Sequence, residues 1–127
     1  GSILNFGSIS GQRPEPGGDS QDQITLQFFL NYVEFGMNIQ EAVDAPTFYS
    51  KHFPSSFYPR ESFPGQFDIE DRVSPEVVEE LRGRGHHVNL VDPWGNGKVM
   101  GVRFDKERGT IYAGTSPRRQ IAYSLGW

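Results

Sequence analysis

With 127 residues, 35% of them hydrophobic and 13% aromatic, the chain holds enough apolar material for one folded unit with a modest core. A net charge of −4 gives no basic surface with which to grip nucleic acid or an anionic membrane. The absence of cysteine excludes disulfides, thiolate metal ligands and a cysteine nucleophile, and no apolar run approaches the roughly 20 residues of a membrane span.

Ile3, Leu4 and Phe6 mark a short strand within residues 1–6, and residues 7–20, rich in Gly, Ser and Pro, read as a loop. From Gln23 to Phe35 apolar residues recur at spacings of three and four but occupy most of the circumference, which predicts a helix buried on nearly all sides. Asp19 or Ser20 is placed to cap its start, and Gly36 to end it in a left-handed turn. Asn38 caps a short second helix, Ile39 to Asp44, stopped by Pro46. Thr47 to Ser50 reads as extended. Residues 52–67 form an aromatic, irregular stretch with a candidate strand at Ser56–Tyr58.

Ser74-Pro75-Glu76 opens another helix, with Val77, Val78 and Leu81 as its apolar face and Gly83 and Gly85 at its end. The period then falls to two. His87–Val91, Lys98–Phe104 and Thr110–Ala113 read as three antiparallel strands joined by hairpin-like connections. The pattern is α+β, and no boundary divides residues 1–127 into more than one domain.

Few residues carry chemistry by spacing alone. Pro16-Gly17-Gly18-Asp19 precedes the apolar helix. Glycines there admit close backbone approach, and the first amides of a helix lack intrahelical acceptors, so the place suits an oxyanion or carboxylate. The plainer reading is a flexible loop feeding a helix, and spacing alone favours it. His86 and His87 are neighbours and point to opposite faces of a strand, while His52 stands apart, so no metal site is expected. Asp68-Ile69-Glu70-Asp71 and Glu79-Glu80 read as solvated charge. Arg118-Arg119 either binds a carboxylate or pairs with acidic neighbours.

Four segments go further together. Phe35 to Pro46 (Phe-Gly-Met-Asn-Ile-Gln-Glu-Ala-Val-Asp-Ala-Pro) resembles the helix-turn-helix segment of γ-glutamyltransferases. Pro16-Gly17-Gly18 resembles that family's glycine pair, Leu81 to Val88 its segment of leucine, three residues and Gly-His-x-Val, and Ser116-Pro117-Arg118-Arg119 its C-terminal Asp-Pro-Arg-Arg. They follow the family order and cover nearly the whole chain.

The resemblance implies an N-terminal-nucleophile hydrolase fold, a four-layer αββα sandwich of which this chain is a part. It implies a precursor that cuts itself, exposing a threonine that attacks a γ-glutamyl amide with its own α-amino group as base. Carried over, the oxyanion glycines are Gly17 and Gly18, with Asp19 as a candidate substrate contact. The nucleophile, the substrate-carboxylate arginine and the Ser-Ser pair of the family lie upstream of the matched region. Gly1 has no nucleophilic side chain, so the chain alone is expected to be inactive.

Expected partners are the remainder of the small subunit, the large subunit of the same precursor and a small-molecule acyl amide. No cofactor, nucleic acid or membrane span is expected. Asp19 stands where many transferases have Ser, Thr47 replaces a usual Arg, and Ser116 a usual Asp. The acyl group is therefore open between γ-glutamyl and that of a related acylase, of the cephalosporin acylase or capsule depolymerase type. A non-catalytic binding or assembly domain is the other alternative.

Overall fold

A computed structural model describes residues 2–7 and 17–118. In chain order they form β1 (Ser2–Gly7), α1 (Gly17–Val33), α2 (Ile39–Asp44), β2 (Phe48–Ser50), β3 (Gln66–Glu70), α3 (Pro75–Gly83), β4 (His87–Val91), β5 (Met100–Asp105) and β6 (Thr110–Thr115). Among the described residues the strands make two three-stranded sheets, ordered β1-β5-β6 and β2-β3-β4.

The first sheet is antiparallel throughout. Its hairpin closes where Asp105 pairs with Thr110, and Asp105 Oδ1 accepts hydrogen bonds from the amides of Glu107 and Arg108. The second sheet is mixed, with β2 antiparallel to β3 and β3 parallel to β4 through α3. This corrects the expected hairpin between β4 and β5: residues 92–99 carry the chain from one sheet to the other. Alternation in β4 marks a half-buried strand but does not say which strand it joins, and a parallel partner needs a crossover that α3 supplies.

The strand expected at Ser56–Tyr58 is irregular, and the strand is instead Gln66–Glu70. There Asp68, Ile69 and Glu70 are all buried, so no polar–apolar alternation betrays the element. The expectation of a solvated acidic cluster is wrong for Asp68 and Glu70, because both carboxylates have cationic partners inside the fold.

Helix α1 starts at Gly17, six residues before the first residue of the predicted span, so Asp19 and Ser20 lie inside its first turn rather than capping it. Glycine's poor helix propensity hid this extension, and contacts from residues 48–56 hold the first turns in place. Gly36 does take the left-handed conformation (φ 68°) after the helix. The expected all-round burial is corrected too: Ile24 and Phe28 are buried, while Leu26, Leu30 and Val33 are exposed. One stripe of α1 faces the core, and much of its remaining apolar surface is uncovered by the described residues.

Asn38 caps α2 as expected. Its side chain accepts from the Glu41 amide while the Glu41 carboxylate accepts from the Asn38 amide, a reciprocal box that satisfies two otherwise unpaired donors. Ser74 takes the N-cap position and Pro75 opens α3 as expected, but the Ser74 side chain makes no capping hydrogen bond, and of the expected apolar face Val78 is buried while Val77 is exposed.

The core joins Ile24, Phe28, Ile39, Ala42, Val43 and Val99. Two glycines let the helices sit down on the first sheet. A Cβ at Gly101 would come within 2.5 Å of the Phe28 ring, and one at Gly114 within 2.7 Å of Ile39. The opposite face of that sheet carries Val102, Phe104 and Ile111, with Phe104 directly opposite Ile111, and all three are exposed.

Candidate functional site

Gly17 and Gly18 are the first two residues of α1. The first four amides of a helix have no intrahelical acceptor, and the summed peptide dipoles place partial positive charge beside them. Asp19, the next residue, is engaged within the fold: its Oδ2 accepts from the Ser56 amide at 2.8 Å. Hydrogen bonding from Ser56, against a small opposing effect of burial, holds its carboxyl below the usual value of 3.8.

One and two turns further, Gln23 and Gln27 reach the same neighbourhood. Gln23 Oε1 accepts from the Ser50 amide at 2.9 Å and its Nε2 donates to the Ser50 carbonyl at 3.2 Å. Gln27 does the same to Phe48, at 3.1 and 2.6 Å. Asp19, Gln23 and Gln27, four apart along one stripe of α1, were the available sequence signal for this arrangement.

The other cluster was missed by sequence reasoning except for one arginine. Arg118 is fully buried and uses all of its N–H groups. Nε donates to Glu70 Oε1 at 2.7 Å and Nη2 to Glu70 Oε2 at 3.0 Å. Nη1 donates to the Val43 carbonyl and Ser116 Oγ, and Nη2 also to the Ala45 carbonyl. The two carbonyls lie at the end of α2, where a cation meets the negative end of the dipole.

Glu70 also accepts from Arg72 at 2.7 Å and from the Thr47 amide at 3.2 Å. The Arg72 guanidinium stacks 3.5 Å from the centre of the Trp94 ring. Burial opposes charge on Glu70, but the hydrogen bonds from Arg118 and then Arg72 outweigh it and hold its carboxyl below the usual value of 4.5. Of the two readings of Arg118, pairing with an acidic neighbour is the observed one, and Arg119 lies outside the described residues. Among the described residues the cluster pairs its charges internally, while Thr47 Oγ1 and Arg72 Nε are buried in it without a hydrogen-bond partner.

The histidines do not converge. His52 Nδ1 accepts from the Gly65 amide, His86 packs edge-on against Phe67, and His87 is exposed. No group of three or more His, Cys, Asp or Glu residues is placed to hold a metal among the described residues. No described helix is long and apolar enough to cross a membrane.

Residues 11–125 match the sequence model of the gamma-glutamyltranspeptidase family. The chain belongs to that family. It is 31% identical over 121 residues to the glutathione hydrolase proenzyme of Pseudomonas sp. (strain A14), covering 88% of this chain and 19% of that protein. It is similar in structure to LmbA2991HD, with a TM-score of 0.85, 39% identity, and coverage of 98% of this chain and 21% of the other. It is also similar to the cephalosporin acylase from Bacillus halodurans, with a TM-score of 0.69, 26% identity, and coverage of 96% and 20%. The chain spans less than a fifth of the length of the curated relatives it matches.

The fold is therefore the α+β fold of γ-glutamyltranspeptidases and related acylases, the N-terminal-nucleophile hydrolases. Within this γ-glutamyltranspeptidase segment, the glycine pair opens α1, which bonds β2 through Gln23 and Gln27 and packs Phe28 against Gly101 of β5. The Arg of the C-terminal motif locks that motif to β3 and the end of α2.

Proposed function

We propose that this chain is a single-domain segment, the C-terminal part of the small subunit of an enzyme that moves an acyl group out of an amide. In this reading the Gly17 and Gly18 amides hold the oxyanion of the tetrahedral intermediate. A threonine, supplied from the part of the longer relatives that this chain does not span, attacks the amide carbonyl while its α-amino group takes the hydroxyl proton. The carbonyl oxygen gains negative charge, and two preorganised amides stabilise it when it forms. The C–N bond then breaks, the amine leaves with the proton, and water or an amine acceptor releases the acyl group. No metal or cofactor enters these steps.

The observation that carries this reading is the placement of the glycine pair in the first turn of α1, at the positive end of a 17-residue helix fixed to its surroundings. The uncovered apolar faces of α1 and of the β1-β5-β6 sheet support a heterodimeric setting. There the rest of the small subunit and the large subunit cover them. The acyl group is γ-glutamyl in the first reading. The likeness to a cephalosporin acylase and the Asp19–Ser56 contact, where many transferases have Ser, favour a second reading with another acyl group.

The test is to express the complete protein, sequence the new N-terminus after self-cleavage, and assay a γ-glutamyl anilide beside aliphatic and aromatic acyl anilides. The proposal expects a Thr, Ser or Cys at the new terminus and turnover of at least one anilide. An uncleaved protein that turns over none of them would leave a binding or assembly domain instead.

A further inference from the structure

We infer that Asp19, Gln23 and Gln27 are positioning residues that set where α1 presents Gly17 and Gly18. This rests on the oxyanion role proposed above. The three residues lie four apart on one stripe of α1 and all bond to residues 48–56.

The geometry explains why two glutamines fit. On either side of β2, Thr47 and Lys51 bond to β3, through the Glu70 amide to the Thr47 carbonyl and the Lys51 amide to the Gln66 carbonyl. The alternate residues Phe48 and Ser50 therefore turn their N–H and C=O groups away from β3, toward α1. A side-chain amide offers one acceptor and donors, so it completes an extended residue as a neighbouring strand would. Two strand residues rise about 6.8 Å and four helix residues about 6.0 Å, so successive turns of α1 meet alternate residues of β2 nearly in step. Each glutamine binds both backbone groups of its residue, at 2.9 and 3.2 Å for Gln23 and 3.1 and 2.6 Å for Gln27.

An apolar contact alone would let a helix slide or roll at small cost, because such contacts are not directional. Paired hydrogen bonds are directional, and shifting α1 by one ångström would break them. The Asp19 bond to Ser56 adds a third point at the first turn and closes the residue 51–65 loop onto the start of the helix. Three points along one stripe fix both axial position and rotation. An oxyanion hole needs this, since its donors must lie about 2.7–3.1 Å from the developing charge.

The experiment uses the complete, self-cleaved enzyme and the variants Gln23→Met, Gln27→Met and the milder Gln23→Glu. Methionine keeps length and loses the paired bonds; glutamate keeps the acceptor for Ser50 N–H and loses the donor. Gln23→Met should lower kcat roughly 10-fold to 100-fold with KM within about threefold, the scale of a 1 Å misplacement at a reacting centre. Affinity for a boronic acid that forms a tetrahedral adduct should fall by the same factor, while affinity for the carboxylic acid product holds. Gln27→Met, further from the glycines, should lose less.

A lowered melting temperature with unchanged kcat and boronate affinity would overturn the inference, as would a loss confined to KM. Failure of all three variants to fold would also overturn it, by making the stripe a folding element only. Gly18→Val is measured in parallel. If it loses activity while Gln23→Met does not, only the positioning inference fails; if Gly18→Val is also unaffected, the oxyanion reading itself fails.

Discussion

The centre around Glu70 and the outer face of the β1-β5-β6 sheet differ in whether this chain completes them. Around Glu70 the charges are paired inside the described residues: Arg118 is buried and fully hydrogen-bonded, and Arg72 and the Thr47 amide also bond the carboxylate, with only Thr47 Oγ1 and Arg72 Nε left without partners there. On the sheet, Val102, Phe104 and Ile111 stand in a cross-strand cluster that no described residue covers, with Ile111 67% exposed. The difference has a physical reason. An unpaired buried charge is costly in every state, so a charged centre must be closed within the segment that contains it. An apolar face loses little by waiting for more protein, and a large uncovered one marks an interface. The described residues thus fix their own frame, from the end of α2 to β3 and Arg118, and in the proposed reading the open faces meet the rest of the enzyme.

The largest effect should come from breaking the closed region. Arg118→Met leaves Glu70 buried with half of its compensation, and should cost about 3–5 kcal/mol of stability, as for other broken buried pairs. Chemical denaturation of the complete enzyme would check it; a loss under about 0.5 kcal/mol, the size of an ordinary surface change, would contradict the account.

The same centre predicts a pH dependence. The folded-state value of Glu70 is depressed below 4.5, so its contribution is fully present above about 4.5 and is lost as pH falls through the folded value. Asp68, where burial is outweighed by hydrogen bonds from Lys51, Asn89 and Gln66, acts in the same direction below 3.8. Melting temperature should therefore drop on acidification below about pH 4.5, and Glu70→Gln should flatten that drop.

The open region gives the next largest effect. An exposed residue usually tolerates substitution within about 0.5 kcal/mol. If more protein covers the sheet, Ile111→Ser in the complete enzyme should instead cost about 1.5–3 kcal/mol, the value of a buried aliphatic side chain. A neutral result there would mean that the face meets solvent. Asn38→Ala lies outside both regions and should cost only about 1 kcal/mol, through loss of the α2 cap.

What was legible in the sequence was local. The Asn38–Glu41 box, the left-handed Gly36, the Ser74-Pro75 helix start and the Asp105–Gly109 turn all announce themselves within a few residues. What was hidden was long-range. Glu70 and Arg118 are 48 residues apart, and no local pattern pairs them. Strand β3 buries consecutive residues and so shows no period of two, and its parallel pairing with β4 depends on a crossover. The start of α1 was hidden because glycine's poor helix propensity gives no helix signal there. Gly17 and Gly18 drew attention as a candidate oxyanion pair only through family resemblance joined to helix physics. Gln23 and Gln27 escaped notice because their partners, Ser50 and Phe48, lie 27 and 21 residues away.

In the proposed reading, Gly17 and Gly18 stabilise charge in the transition state. Its most direct test is Gly18→Val in the complete, self-cleaved enzyme, with cleavage scored separately from turnover. The account predicts a fall in kcat of roughly a hundredfold to a thousandfold, about 3 kcal/mol, with KM little changed, because the charge exists only in the transition state. A correctly cleaved, folded variant with unchanged kcat would contradict it and leave the glycine pair as no more than the start of a helix.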